Sequence, residues 1–172
     1  SLAMSPNVEN LYLMGFSAIN ATGNDLNNLL IGNDYANVLN GGLGDDTLSG
    51  GLGNDTLTGG MGADLFVFNS TPNAISNRDL ITDFVSGVDQ IQLSKSIFTA
   101  FGAMGTITSD AFYSSSTATK GMDASDRLVY NTSTGILYYD ADGSGVRASV
   151  AIALFGNLTH PNLTYTDIQI IA

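Results

Sequence analysis

Cysteine and tryptophan are absent from this chain, and three prolines, one histidine and one glutamate are all it holds of those residues in 172 positions. Without cysteine there is no disulfide to staple a secreted domain and no thiolate nucleophile. Bases are also scarce: five Lys and Arg, the first at Arg78, against 16 acids, for a formal net charge of −11. Such a surface repels phosphate and disfavours a nucleic-acid role. No apolar run approaches the ~18 residues of a membrane span, and no basic-plus-apolar leader opens the sequence. The lone histidine, His160, stands before Pro161 and belongs to no His-Glu-x-x-His pattern. An enzyme reading therefore finds no catalytic constellation here, and any catalysis is expected outside this chain.

What is abundant is aspartate in glycine-rich surroundings: 15 Asp against the single Glu9. A generic solvated acidic surface would use both acids, whereas short Asp in Gly-rich loops suits cation ligation and turns. From Gly23 to Val67 there are six acids and no base. Without cations such a block repels itself and resists folding.

Within it, Gly41 to Val67 is three consecutive copies of G-G-x-G-x-D-x-U-x, U being a large apolar residue, with Asp46, Asp55 and Asp64 nine positions apart. This nonapeptide resembles the calcium-binding β-helix repeat of RTX proteins. The chemistry behind it is readable. Glycine lets the backbone curl so that successive carbonyls aim at one point. Calcium takes six to eight oxygens, many of them carbonyls. The Asp adds charge, and x-U-x is a short strand with its middle side chain inward. Two repeats make one 18-residue coil, so loops two repeats apart stack on one edge. The plainer alternative is a run of Gly-Asp hairpin turns.

Carried backward, the register finds two further copies, Gly23–Ile31 and Gly32–Asn40, with Asn28 and Asn37 in the sixth position. Leu30, Leu39, Leu48, Leu57 and Phe66 then form one inward ladder. An asparagine offers an oxygen but no charge, so sites that use it are expected to be weaker or vacant. Residues 1–7 read as a linker or cloning remnant. Val8 to Leu13 and Ile19 to Thr22 read as leading strands, giving a roll over residues 8–67 with five repeats over 23–67. Asp79 and Asp83 are candidates to close the last loops; Asp89 is the weaker one. Ser94 to Phe101 suggests a short helix capped by Ser94, and Thr106 to Ala124 a polar loop. A meander follows: Leu128–Tyr130, Ile136–Asp140 and Val146–Phe155, then a last strand, Asp167–Ile171. Asp140-Ala141-Asp142-Gly143-Ser144-Gly145 matches the first half of an EF-hand loop, but Ala151 stands where that loop needs Glu. It reads as a hairpin turn.

The repeats, Phe66-Val67-Phe68, Asp79 through Leu93, Asp126 through Tyr130, Tyr139 through Gly143 and Leu163 through Ile168 together resemble the C-terminal region of serralysin-type proteases and other haemolysin-type calcium-binding RTX proteins. The resemblance implies an all-β fold: a calcium-bound parallel β-roll of nonapeptide repeats followed by an antiparallel β cap over residues 68–172. It also implies secretion from a Gram-negative bacterium to the extracellular space or cell surface. Export there runs through a type I apparatus, an ABC transporter that reads an uncleaved C-terminal signal. Roughly three calcium ions are implied. One set of ligands is Gly42, Gly44 and Asp46 with Gly59, Met61 and Asp64. A second is Asn33, Tyr35 and Asn37 with Gly50, Leu52 and Asp55, where Asn37 departs from the pattern. A third joins Gly51, Gly53 and Asp55 to the segment of Asp79 and Asp83. The ending also departs, since polar Gln169 interrupts the apolar tail after Asp167.

Three functions compete at this stage: a calcium-dependent folding and secretion module, an enzyme, and an accessory binding module for polysaccharide, a host surface or ice. Against an acidic polysaccharide the charge is unfavourable unless calcium bridges it. The Asn-Asp pairs at 24–25 and 33–34 make too small a flat face for ice. No Asp-Pro peptide is present for self-cleavage, because Pro6, Pro72 and Pro161 follow Ser5, Thr71 and His160.

Overall fold

The computed structural model describes residues 1–156 and 160–172. The nine-residue period decides the architecture. Each x-U-x tail is too short to pair within itself, so it pairs in parallel with the tail one coil away. On one side of the roll lie β1 (Leu2–Ala3), β3 (Ala21–Thr22), β5 (Val38–Leu43), β7 (Thr56–Met61) and β9 (Asp79–Ile81). On the other lie β2 (Asn10–Tyr12), β4 (Leu29–Ile31), β6 (Thr47–Ser49), β8 (Leu65–Phe68) and β10 (Gln90–Ser94). The parallel stack thus goes on past Val67, where the glycine register stops. Residues 1–7, expected to be a linker, supply β1, whose Leu2 pairs with Ala21.

The remaining strands extend both sheets. They are β11 (Gly105–Thr106), β12 (Phe112–Ser115), β13 (Leu128–Asn131), β14 (Ile136–Tyr139), β15 (Val150–Phe155) and β16 (Ile168–Ile171). The order is β1-β3-β5-β7-β9-β15-β14-β13-β12 in the nine-stranded sheet and β11-β16-β10-β8-β6-β4-β2 in the seven-stranded one. Strands β13, β14 and β15 form the expected antiparallel meander, yet β15 joins β9 and β16 joins β10 in parallel.

The core is two facing columns set by this register. Leu30, Leu48, Phe66, Ile91 and Ile168 align across the seven-stranded sheet, and Leu39, Leu57, Ile81 and Phe155 across the other. All nine are fully buried, and each such side chain contributes about 1.5–3 kcal/mol of burial. Phe84 ties roll to cap, with ring centroids 5.9 Å from Phe66 and 5.3 Å from Phe155, which in turn meets Tyr130 at 5.9 Å.

Three further expectations need correction. Ser94–Phe101 is a run of turns: Phe98 N–H donates to Ser94 O, but Phe98 and Phe101 both turn inward onto Tyr139, whose hydroxyl oxygen accepts Ala100 N–H. Aromatic burial wins over helix continuation. The stretch Thr106–Ala124 is not loop alone, since β12 pairs with β13. Strand β15 starts at Val150 because Arg147 N–H is held at 3.1 Å by Asp142 Oδ2, closing the preceding loop.

Candidate metal centre

The sixth residue of each repeat sits at the start of a strand, buried, where one coil meets the next. On one edge, Asp46 Oδ1 accepts Asn28 N–H at 2.7 Å, Asp64 Oδ1 accepts Asp46 N–H at 2.9 Å, and Asp89 Oδ1 accepts Asp64 N–H at 3.0 Å. On the opposite edge, Asp55 Oδ1 accepts Asn37 N–H at 2.7 Å and Asp79 Oδ1 accepts Asp55 N–H at 3.1 Å. These bonds satisfy backbone donors that the strand ladders leave open. Asp89, the weaker candidate in the sequence, continues the first ladder. Its signal was the likeness of Asp89-Gln90-Ile91 to Asp64-Leu65-Phe66, hidden by a spacing of 25 residues where the repeats have 18.

The loops named in the sequence lie side by side in pairs. Gly42 and Leu43 are in register with Gly60 and Met61, so the loops of Asp46 and Asp64 adjoin. They adjoin so closely that a Cβ on Gly60, whose φ is +106°, would collide with Gly42 O. Gly41 is needed for a different reason: Asp46 folds back over it, and a Cβ there would strike Asp46 Oδ2. The loop of Gly50, Leu52 and Asp55 lies against that of Asn33, Tyr35 and Asn37, since a Cβ on Gly51 would approach Asn33 O to 2.8 Å. Beyond it, Gly51 O accepts the Ser70 hydroxyl at 2.6 Å and Asp79 reaches Asp55 N–H. Asp83 lies elsewhere, accepting Gly59 N–H at 3.0 Å and Gly60 N–H at 2.9 Å with its two oxygens.

Asp142 Oδ1 in the cap has no hydrogen-bond partner. In the roll two buried carboxylates are incomplete in the same way, at Asp46 Oδ2 and Asp55 Oδ2. Desolvation pushes both carboxyls up to about 6, against backbone bonds from Asn28 and Asn37 that lower them. Burial also raises Asp64 and Asp89, and pushes Asp79, beside Asp55, up to about 8. A buried carboxylate with a free oxygen among carbonyl-rich glycine loops fits a hard cation, which supplies the missing partner and removes the penalty on charge. Among the described residues no three acid or imidazole side chains converge, so backbone carbonyls would provide most of the ligands. The asparagine loops do not fit in this way. Asn37 Nδ2 donates to Ile19 O at 2.7 Å and Asn28 Nδ2 to Val8 O at 3.2 Å, which directs a donor, not a ligand oxygen, into the junction.

In the cap, fully buried Asp140 accepts Gly121 N–H at 2.9 Å, and Asp126 accepts Met122 and Asp123 N–H. These bonds hold the 121–126 loop against the Asp140–Gly145 turn.

A family model for the RTX calcium-binding nonapeptide repeat matches residues 22–57 and 44–70. The repeat region is RTX-type. No curated protein matches the chain. Among solved structures, the R3 subunit of AlgE6, a mannuronan C5-epimerase of Azotobacter vinelandii, is similar in fold, with a TM-score of 0.54 and 24% identity over 87% of this chain and 78% of that one. Residues 22–70 are therefore RTX calcium-binding repeats, the chain folds as an all-β roll, and the orphaned oxygens of Asp46 and Asp55 fall inside the matched repeats. Among the described residues no helix is long and apolar enough to cross a membrane.

Proposed function

We propose that this RTX module is a calcium-dependent folding and export unit of a larger extracellular protein. The observation that supports this reading most is the buried, half-partnered state of Asp46 and Asp55. At low cytoplasmic calcium these carboxylates oppose burial and the array stays open for threading through a type I ABC transporter that reads the C-terminus. Outside a Gram-negative cell, at the 10⁻⁴ to 10⁻³ M calcium that extracellular modules commonly use, ion binding drives folding by mass action. Residues 2–94 then form the parallel roll around the repeats at 23–67, and the rest of the chain the cap that carries the export signal. Roughly three ions are expected. The best set is Gly42, Gly44 and Asp46 with Gly59, Met61 and Asp64. A further set is Gly51, Gly53 and Asp55 with Asp79, and the one through Asn33, Tyr35, Gly50, Leu52 and Asp55 is weakened at Asn37. Catalysis belongs outside this chain.

The test is far-UV circular dichroism of the chain titrated with calcium from a chelated start, with magnesium as control. A calcium-specific coil-to-β transition between micromolar and millimolar supports the reading. A chain fully folded in chelator and indifferent to calcium sinks it. The second reading, an accessory binding module, draws on the likeness to a subunit of a mannuronan C5-epimerase. The two part on one result, calcium-independent folding with retained binding to a polysaccharide.

A further inference from the structure

The two N-terminal repeats differ from the other three in one respect only the structure interprets. Asn24 and Asn28 on one edge, and Asn33 and Asn37 on the other, make the same network nine residues apart. Asn24 Nδ2 donates to Ser5 O and Val8 O, both at 2.8 Å, and Asn28 Nδ2 to Val8 O and Asn24 Oδ1, both at 3.2 Å. Asn33 Nδ2 donates to Ser17 O at 2.9 Å and Gly15 O at 3.5 Å; Asn37 Nδ2 reaches Ile19 O at 2.7 Å and Asn33 Oδ1 at 3.2 Å. The amide oxygens are used as fully. Asn28 Oδ1 accepts Asn24 N–H at 2.8 Å and Asn37 Oδ1 accepts Asn33 N–H at 2.9 Å. Asn24 Oδ1 and Asn33 Oδ1 take the N–H groups of Leu26 and Tyr35. The partners fix which end of each amide is oxygen: a backbone N–H meets Oδ1 and a backbone carbonyl meets Nδ2.

Asn28 and Asn37 are as buried as the aspartates that follow them, yet both are completely hydrogen-bonded, while Asp46 and Asp55 each keep an orphaned oxygen. A carboxylate has no donor, so it cannot face a carbonyl without a cation between them; an amide can. We infer that the first loop-to-loop junction on each edge of the roll, residues 5–8 with 24–28 and 15–19 with 33–37, is closed by asparagine amides in place of calcium. The ion-dependent part of the roll then begins with the loops of Asp46 and Asp55. The N-terminal end is fastened by neutral groups whose hold does not vary with the cation. This rests on the calcium-folding reading above and locates where along the chain that dependence starts.

The test counts ions. The slope of unfolding free energy against the logarithm of calcium concentration gives the number taken up on folding, read from thermal or denaturant unfolding at several calcium levels for wild type, Asn28→Ala, Asn37→Asp and Asn28→Asp, with Asp64→Ala as control. Asn28→Ala is expected to lower the midpoint at every calcium concentration and leave the slope unchanged, whereas Asp64→Ala lowers the slope. Asn37→Asp sets oxygen against Ile19 O and is expected to raise the slope by about one ion. Asn28→Asp does the same on the other edge and decides the matter where Asn37→Asp fails to fold. A slope that falls in Asn28→Ala, or aspartate variants that bind more tightly without adding an ion, overturns the inference while leaving the calcium reading intact. A wild-type slope of zero removes that reading and the inference with it.

Discussion

Asp64 Oδ1 lies 2.9 Å from the backbone nitrogen of Asp46, 18 residues earlier, and accepts its hydrogen. One side chain thereby closes a backbone donor of the preceding coil and brings negative charge beside Asp46, which helps raise the Asp46 carboxyl. The bond holds coils together; the charge keeps them apart until a cation arrives.

These two roles separate by substitution. Asp64→Asn keeps an acceptor for Asp46 N–H and removes the charge; Asp64→Ala removes both. Both are expected to weaken calcium affinity about tenfold or more, because affinity follows ligand charge. Only the alanine variant should also lose stability at saturating calcium, by about 1–3 kcal/mol for the unsatisfied N–H. Isothermal calorimetry and thermal unfolding check the two halves.

Stability of the calcium-free protein should fall as pH rises. Burial raises Asp46 and Asp55 to about 6 and Asp79 to about 8, all from 3.8. Between those limits the folded state binds more protons than the unfolded state, so their stabilisation is complete below about pH 4 and lost by about pH 8. In chelator, the folded fraction read by far-UV circular dichroism is expected to be higher at pH 5 than at pH 8. Saturating calcium takes the place of the protons and should flatten the dependence. Chelated stability that climbs with pH would refute this account.

Gly60→Ala is expected to cost about 3 kcal/mol or more, and Gly87→Ala less. At Gly60 a Cβ meets both a positive φ and the Gly42 carbonyl, while Gly87, at φ +81°, has open space around it. The difference isolates close coil approach from backbone strain alone. Comparable losses at the two positions in denaturant melts would contradict the close contact.

Asp167 fastens the last strand. Its carboxylate accepts Ser86 Oγ–H at 2.8 Å, Gly87 N–H at 2.9 Å and Thr164 N–H at 2.8 Å. Asp167→Ala should destabilise the calcium-loaded chain by about 2–4 kcal/mol, the range for breaking a buried network. Hydrogen exchange in β16 and in its partner β10 should rise, while exchange in β5 and β7 stays as it was.

The sequence by itself determined the roll. A strict period of nine turns Leu30, Leu39, Leu48, Leu57 and Phe66 inward, alternately from the two facing sheets and not as the single ladder the register suggested, because alternation within x-U-x leaves them nowhere else to go, and all five are fully buried. It also pointed to Asp46, Asp55 and Asp64, since the glycine pattern repeats locally. Three things were decided only by tertiary structure. The first is how the roll ends: β9, β10, β15 and β16 join the parallel stacks through contacts far apart in sequence, and no nine-residue register announces them. The second is the path of Ser94–Phe101, set by burying Phe98 and Phe101 against Tyr139. The third is what position six does. Asparagine and aspartate occupy the same place in the repeat and read alike as oxygen donors, but the neighbouring coil presents carbonyls. Whether a side chain brings a donor to meet them, or an oxygen that calls for a cation, depends on that neighbour and not on the repeat.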